Sequence, residues 1–288
     1  MKVRLKRLVL MGLATLGYLL GLPLWKKMRE ARAPGRLRVL RYHSVSSTRT
    51  HETAVRPKDF QRQMRWLNKH HRVIDPDDIL MRQGESAVMV TLDDGYADNY
   101  YEALPVLRTE GIRALIFLVA GYAGTDNLLP HDAGGSVEAN RLLRWEEIRD
   151  CDPRCVEFGS HGWSHRRLST IADDAQIAQE VTWSKERIEK EWGRPVRFFS
   201  FPFGVEGDYD ARTTRMVREA GYKAAFNAKY GENSQETNAF DLFRIGVERS
   251  DNLFTLRSKL NGALDLLPMA ETPVGRRAVR WMNRMVGA

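Results

Sequence analysis

The chain switches repeatedly between two hydrophobic periods. Short apolar runs, each suited to one buried strand, occur at Leu37–Val45, Ala87–Leu92, Ala114–Ala120, Val156–Gly159, Phe198–Phe201, Ala224–Phe226 and Leu242–Val247. Between them the spacing lengthens to a helical one. Phe60, Met64 and Leu67 fall on one helix face, as do Ile177, Val181, Ser184 and Ile188. The second of these segments opens at Asp173-Asp174 and closes at Gly193-Arg194-Pro195, the residue types that start and stop helices. A third helix runs over Thr213–Gly221 with Gly221 as its stop. Strands alternating with helices predict βα units around a parallel sheet or barrel, and roughly 250 residues makes one such domain. Residues 123–142, rich in Gly, Asn, Asp and Ala, read as a long surface loop.

Upstream of this pattern lies an 18-residue run without charge, Leu8 to Trp25, close to the ~20 apolar residues that span a bilayer. Basic residues precede it. Ala31-Arg32-Ala33 has the small-x-small form of a cleavage site, but Lys26 and Lys27 intervene, so an uncleaved anchor is the favoured reading, with a cleaved signal and a buried or surface-lying helix as the alternatives. The expected organisation is an anchor or signal-like segment at 1–36, one α/β domain at 37–270 and a basic tail at 271–288. In that tail Val279, Met282, Met285 and Val286 stand against Arg276, Arg280 and Arg284, as in an amphipathic helix lying on a membrane or equally one packed on its own domain.

Charge decides which partner the basic balance serves. The 288 residues carry a net +8. The first 36 hold nine Lys or Arg and one acid, which accounts for all of it. A basic excess beside an apolar run points to a membrane surface rather than to nucleic acid. Positive residues flank the run on both sides, slightly more of them after it, which leans weakly toward a cytoplasmic main domain without settling the orientation. With 43% hydrophobic residues and two cysteines, the chain is neither disordered nor a disulfide-framework miniprotein. Cys151 and Cys155 either bond to each other or remain thiols.

Three motifs carry candidate chemistry. The strand Ala87–Leu92 runs straight into Asp93-Asp94-Gly95, and in α/β barrels the carboxyl ends of strands carry the active site. One carboxylate of such a pair can bind a cation while the other serves as a base. Alone, the same residues make a plain Asp-Gly turn. The strand Val156–Gly159 leads into Ser160-His161-Gly162-Trp163-Ser164-His165, with two His at i and i+4, on one face if the stretch is helical. A carboxylate with that His pair makes a two-His, one-carboxylate set with positions left open for water and substrate. Phe201-Pro202-Phe203-Gly204 ends a third strand and reads as a groove wall or as a buried turn. His51, His70, His71 and His131 have no partner at metal spacing. His70-His71 suits a helix end, and His131, in the long loop, is available to touch substrate.

In this order, Thr91–Gly95, the His161/His165 pair and the Phe-Pro-Phe-Gly strand resemble the polysaccharide deacetylases, carbohydrate esterase family 4, over roughly residues 37–250. The resemblance implies a distorted (β/α) barrel of about seven parallel strands. It also implies removal of acetyl groups, N-acetyl above all, from a cell-envelope or exported glycan. By matched motif, Asp93 would be the catalytic base. Asp94, His161 and His165 would hold a divalent metal, with Zn2+ expected. Two features depart from the pattern. The Arg that often opens the third motif is replaced by Ser200-Phe201, with Arg244 as a candidate stand-in and a further candidate for substrate binding. No His follows His165. Arg41-Tyr42-His43 resembles the N-terminal Tyr-His motif of a subgroup acting on poly-N-acetylglucosamine, which would make His43 the general acid. The competing readings are a deacylase of a small or lipid-linked amide and a non-catalytic carbohydrate-binding barrel. The expected location is the outer face of the cytoplasmic membrane, with the cytoplasmic face as the alternative.

Overall fold

The computed structural model describes residues 2–32, 35–80 and 86–265. Eight strands form one parallel sheet: β1 (Leu37–Tyr42), β2 (Arg72–Val73), β3 (Ala87–Leu92), β4 (Ala114–Leu118), β5 (Val156–Ser160), β6 (Phe198–Ser200), β7 (Ala224–Phe226) and β8 (Ile245–Gly246). Seven follow the path β8-β1-β3-β4-β5-β6-β7, and β2 pairs with the start of β3. The ends of the path meet at a parallel bridge between Phe226 and Leu242, so the sheet curls into the expected distorted barrel. β2 went unpredicted because its two residues, exposed Arg72 and partly buried Val73, carry no hydrophobic period. The run Leu37–Val45 breaks at His43, and Ser44–Val45 pairs separately with Ala54–Val55.

The strands read as near-continuous apolar runs because both of their faces are covered. Alternate residues, including Val39, Met89, Leu115, Phe117, Phe198 and Phe226, form one buried cluster inside the barrel. Their neighbours Leu40, Val88, Val90, Ile116, Phe158 and Phe199 join a second cluster under the helices. Gly159 lets the interior close, because a Cβ there would sit 2.6 Å from the Phe117 ring.

The predicted helices form where the spacing puts them. Pro57–His70 buries Phe60, Met64 and Leu67. The segment Asp174–Ala178 runs through a π turn, Gln179–Trp183, into Ser184–Trp192, with Ile177, Val181, Ser184 and Ile188 all inward. The Asp173 carboxylate accepts from the Ala175 amide, and Gly193 ends the helix at φ 70°. The long loop carries short turns at Pro130–Asp132 and Val137–Asn140.

The N-terminal region departs from the single hydrophobic helix expected. It is two helices, α1 (Lys2–Leu19) and α2 (Leu22–Arg32), bent by 60° at a break where Gly21 adopts φ 69°. Among the described residues, no single helix is long and apolar enough to cross a membrane, although the bent pair together meets that length and composition. The tail 271–288 lies outside the described residues. Cys151 and Cys155 are both buried and unbonded.

Candidate active site

Each candidate motif leaves the carboxyl end of a strand. In β3 the period of two that points Met89 into the barrel also points Thr91 and Asp93 inward. Six consecutive pairs, Leu37–Ala87 to Tyr42–Leu92, hold β1 beside β3, so His43 follows β1 at the level where Asp93 follows β3. The Asp93 amide donates to the Tyr42 carbonyl at 2.9 Å and fixes that level. The chain then turns sharply through Asp94 at φ 73° and Gly95 at φ 74°. Left-handed backbone is tolerated by Gly and by Asp, and here it aims the Asp94 carboxylate across the barrel mouth.

His161 and His165 come together differently from the predicted helical turn. The stretch between them is a loop with left-handed Gly162 (φ 79°) and His165 (φ 58°). Glu180, buried on the helix behind, holds this loop. Its carboxylate accepts from the amides of Trp163 (3.0 Å) and Ser164 (2.9 Å) and from the Ser164 hydroxyl. His161 Nδ1 donates to the Ser200 carbonyl at 2.7 Å. That fixes the tautomer and leaves the Nε2 lone pair free.

The two Nε2 atoms lie 3.5 Å (His161) and 3.3 Å (His165) from Asp94 Oδ1. One ligand atom from each residue lies within 4.8 Å of the others, and all three side chains are buried. Asp94 Oδ1 is buried with no hydrogen-bond donor among the described residues. A buried anionic oxygen without a donor is costly. Facing the Nε2 atoms of two imidazoles, it completes a two-nitrogen, one-oxygen set that suits a divalent metal. Burial would raise the Asp94 carboxyl, but the imidazoles of His165, His43 and His161 outweigh it and hold it well below the usual range.

Asp93 faces Arg244 instead. The guanidinium donates to Asp93 Oδ1 (2.6 Å) and Oδ2 (2.8 Å), to the Ser200 hydroxyl (2.8 Å) and to the Asn227 carbonyl (2.6 Å). Burial opposes ionisation of Asp93, but Arg244, His161 and His43 outweigh it and pull the carboxyl to about 2. This corrects the assignment of Arg244 to substrate binding, because its side chain has no solvent exposure. Its fork on Asp93 is the contact expected of a stand-in for the Arg missing before Pro202. Burial also dominates at His43. Opposed by Asp94 and Asp93 and aided by Arg41 and Arg244, it pulls the imidazole to about 4.

The groove wall is narrower than predicted. Phe201, Pro202 and Gly204 are buried, and Phe201 stacks on Tyr209. Phe203 alone is exposed, at 40%, in left-handed backbone (φ 61°). Its ring lies 4.8 Å from that of His165, with the Arg167 guanidinium 3.6 Å from its centroid. On the other side of His165, the His131 ring lies 5.6 Å away. His131 is held by Tyr96, whose hydroxyl donates to Asp132 (2.7 Å) and accepts from Arg49 (2.9 Å). Sequence reasoning missed Glu180, Tyr96, Arg49 and Asp132. Glu180 had left one signal, an acid among Ile177, Val181 and Ser184 on an inward helix face.

Known proteins resemble this chain in sequence and in fold. The Bacillus subtilis protein YxkH, named as a polysaccharide deacetylase, is 26% identical over 221 residues, covering 74% of this chain and 72% of its own. The poly-beta-1,6-N-acetyl-D-glucosamine N-deacetylase of Staphylococcus aureus is 22% identical over 225 residues, covering 74% and 73%. The fold is also that of the Streptococcus pyogenes deacetylase PplD, solved with acetate, at a TM-score of 0.66, 18% identity and coverage of 79% and 99%. The sequence pattern of the family described as polysaccharide deacetylase matches residues 81–225, half of the chain, from just before β3 into β7. The chain therefore belongs to the polysaccharide deacetylase family.

Proposed function

We propose that this protein is a metal-dependent hydrolase that removes N-acetyl groups from an exported glucosamine-type polysaccharide. The observation that carries the reading is one barrel end holding two carboxylates with separate partners. Asp94 faces two imidazoles, and Asp93 faces a guanidinium. Asp94, His161 and His165 would hold a divalent cation, with Zn2+ the favoured ion for this donor set. When bound, such an ion supplies Lewis-acid polarisation of a carbonyl and acidifies water.

The chain's own residues do the rest. Asp93, ionised and held by the Arg244 fork, accepts the proton of the attacking water as oxygen adds to the acetyl carbon. His43 delivers a proton to the departing nitrogen as the C–N bond breaks. The products are acetate and a free amine. Because burial favours the neutral His43 ring, the ring must first take up a proton, from solvent or the one that Asp93 accepts, and it then gives that proton up readily to the nitrogen. Phe203 offers an apolar face beside His165 on which a sugar ring can lie. The substrate class is supported by the named activity of the staphylococcal relative. An exported polymer also favours a membrane-attached enzyme with its barrel on the outer face.

The test is acetate release from N-acetylated β-1,6-glucosamine oligomers, with and without a chelator, beside Asp93→Asn and His161→Ala. The wild type is expected to release acetate and to stop on chelation. Asp93→Asn is expected to retain metal and lose turnover by about 10²–10⁴. Bound oligomer without acetate release, metal being present, would establish a binding barrel instead.

A further inference from the structure

We propose that α1 and α2 are a docked part of the fold whose outer face lies flat on an anionic lipid bilayer, in the interface and not across it. The inference is independent of the deacetylase reading. It begins with the break at Gly21, which divides the uncharged run between two helices bent by 60°. The uncharged part of α1 is then Leu8–Leu19, about 18 Å long against the ~30 Å of a bilayer core.

The inner side of the pair is built into the domain by contacts that a spanning helix would have to break. Lys26 is only 3% exposed and lies 3.1 Å from Asp265 and 3.3 Å from Glu232. Arg7 donates to the carbonyls of Ser250 (2.9 Å) and Arg249 (3.2 Å), and Lys6 pairs with Glu248. Asn261 donates to the Tyr18 hydroxyl at 2.6 Å. At Gly17 a Cβ would lie 1.9 Å from the Ala263 carbonyl oxygen, so the helix touches the domain through bare backbone. A hydrophobic run destined only for lipid needs none of these polar partners on residues 232–265.

The outer side is the reverse. Eleven of the seventeen exposed large hydrophobic side chains among the described residues fall within the first 28 positions. Val9, Leu13, Leu16 and Leu20 recur at helical spacing, and Leu24 and Trp25 continue the patch past the bend. A patch of that size on a folded domain marks a docking face. Its charge selects the occupant. Arg4 and Lys27 are exposed at either end, and neither has an ion pair among the described residues. An apolar face with a cationic rim and an interfacial Trp matches anionic phospholipid headgroups above acyl chains.

The experiment uses the full-length chain and vesicles of phosphatidylglycerol with phosphatidylethanolamine, beside vesicles of phosphatidylcholine alone. The protein is expected to sediment with the anionic vesicles at least about tenfold better, and to lose most of that preference at high salt. Arg4→Glu/Lys27→Glu should abolish the preference, and Leu16→Asp/Leu20→Asp should abolish binding, with an unchanged melting temperature in both. Membranes of expressing cells should release the wild type, with its first residues intact by mass, into alkaline carbonate. Retention in the carbonate pellet would establish a span. A mature chain that begins after the helices would establish a cleaved signal. Failure to bind vesicles together with dimerisation in solution would give the face to a second copy. Each of these three results overturns the proposal.

Discussion

Arg244→Met would test whether the buried guanidinium is what makes Asp93 a base. Neither side chain has appreciable exposure, and the fork spends both Nη atoms on the carboxylate. Methionine fills much of the volume but supplies no donor. The carboxylate then keeps its burial and loses its main compensation. Breaking a buried pair from one side costs about 3–5 kcal/mol, a large share of the roughly 5–15 kcal/mol that holds a domain folded. The alternative open to the protein is to protonate Asp93. Burial, the largest influence on this group, already pushes that way and would now win. Protonation removes the base, and an unpaired carboxylate loses the fork that orients it, so by either route acetate release should fall by about 10²–10⁴. Asp93→Asn/Arg244→Met removes the stranded charge as well, so its denaturation midpoint should recover toward wild type while activity stays absent. Arg244→Lys keeps the charge without the fork and should fall between. Guanidinium chloride unfolding and an acetate assay on the four proteins decide the matter. An Arg244→Met enzyme within about twofold of wild type in both would refute the argument, since a pair worth several kcal/mol cannot be removed silently.

Other outcomes follow from the supports of the site. Glu180→Gln leaves the Trp163 and Ser164 amides with a weaker acceptor, so metal affinity should drop about 10–100-fold with the fold retained; equal affinity by calorimetric titration would remove Glu180 from that role. Glu147 braces the segment that pairs with the Asp94–Gly95 turn, and burial favours its neutral form. The Arg141 fork and the Tyr101 hydroxyl outweigh burial and hold the carboxyl below its ordinary value. Its stabilisation is thus complete above about pH 4.3 and is lost as pH falls through the lowered folded value. The stability gap between wild type and Glu147→Gln should accordingly be wide at pH 7 and narrow at pH 3, and a constant gap would contradict the assignment. Burial raises the Cys151 thiol to about 12. The native protein should therefore leave that thiol unlabelled, and denaturant without reductant should expose two thiols; finding none would show a bond between Cys151 and Cys155.

Much of the barrel was legible because strands covered on both faces write themselves as apolar runs. Ala87–Leu92 and Ala224–Phe226 have the predicted limits. Helices whose apolar residues are few were not legible. Leu104–Glu110 and Trp145–Asp150 bury two side chains each, too few to show a period. The candidate metal set could be found because its three residues follow two strand ends, which chain order reveals. The loop that joins His161 to His165 could not, because its shape depends on Glu180 reaching across from another element. Arg244 was only a candidate in sequence, since its partner stands 151 positions away and nothing local links them. The hydrophobic run at the N-terminus was visible as a run but not as a bent pair, because its polar partners lie more than 200 residues downstream.

The seam at which the barrel closes has a consequence for when the protein can act. Arg244 belongs to the stretch between the Phe226–Leu242 bridge and β8, the last strand to join the sheet in chain order. A chain that has formed β1 to β7 but has not laid down this stretch already possesses both histidines and both aspartates. It lacks the guanidinium that orients and ionises one of them. On the proposed metal-dependent reading, the ring of strands would work as an interlock, in which metal capture can precede completion of the fold but turnover cannot. A nascent or partly unfolded molecule would hold its ion and remain chemically silent until its two ends of sheet are joined.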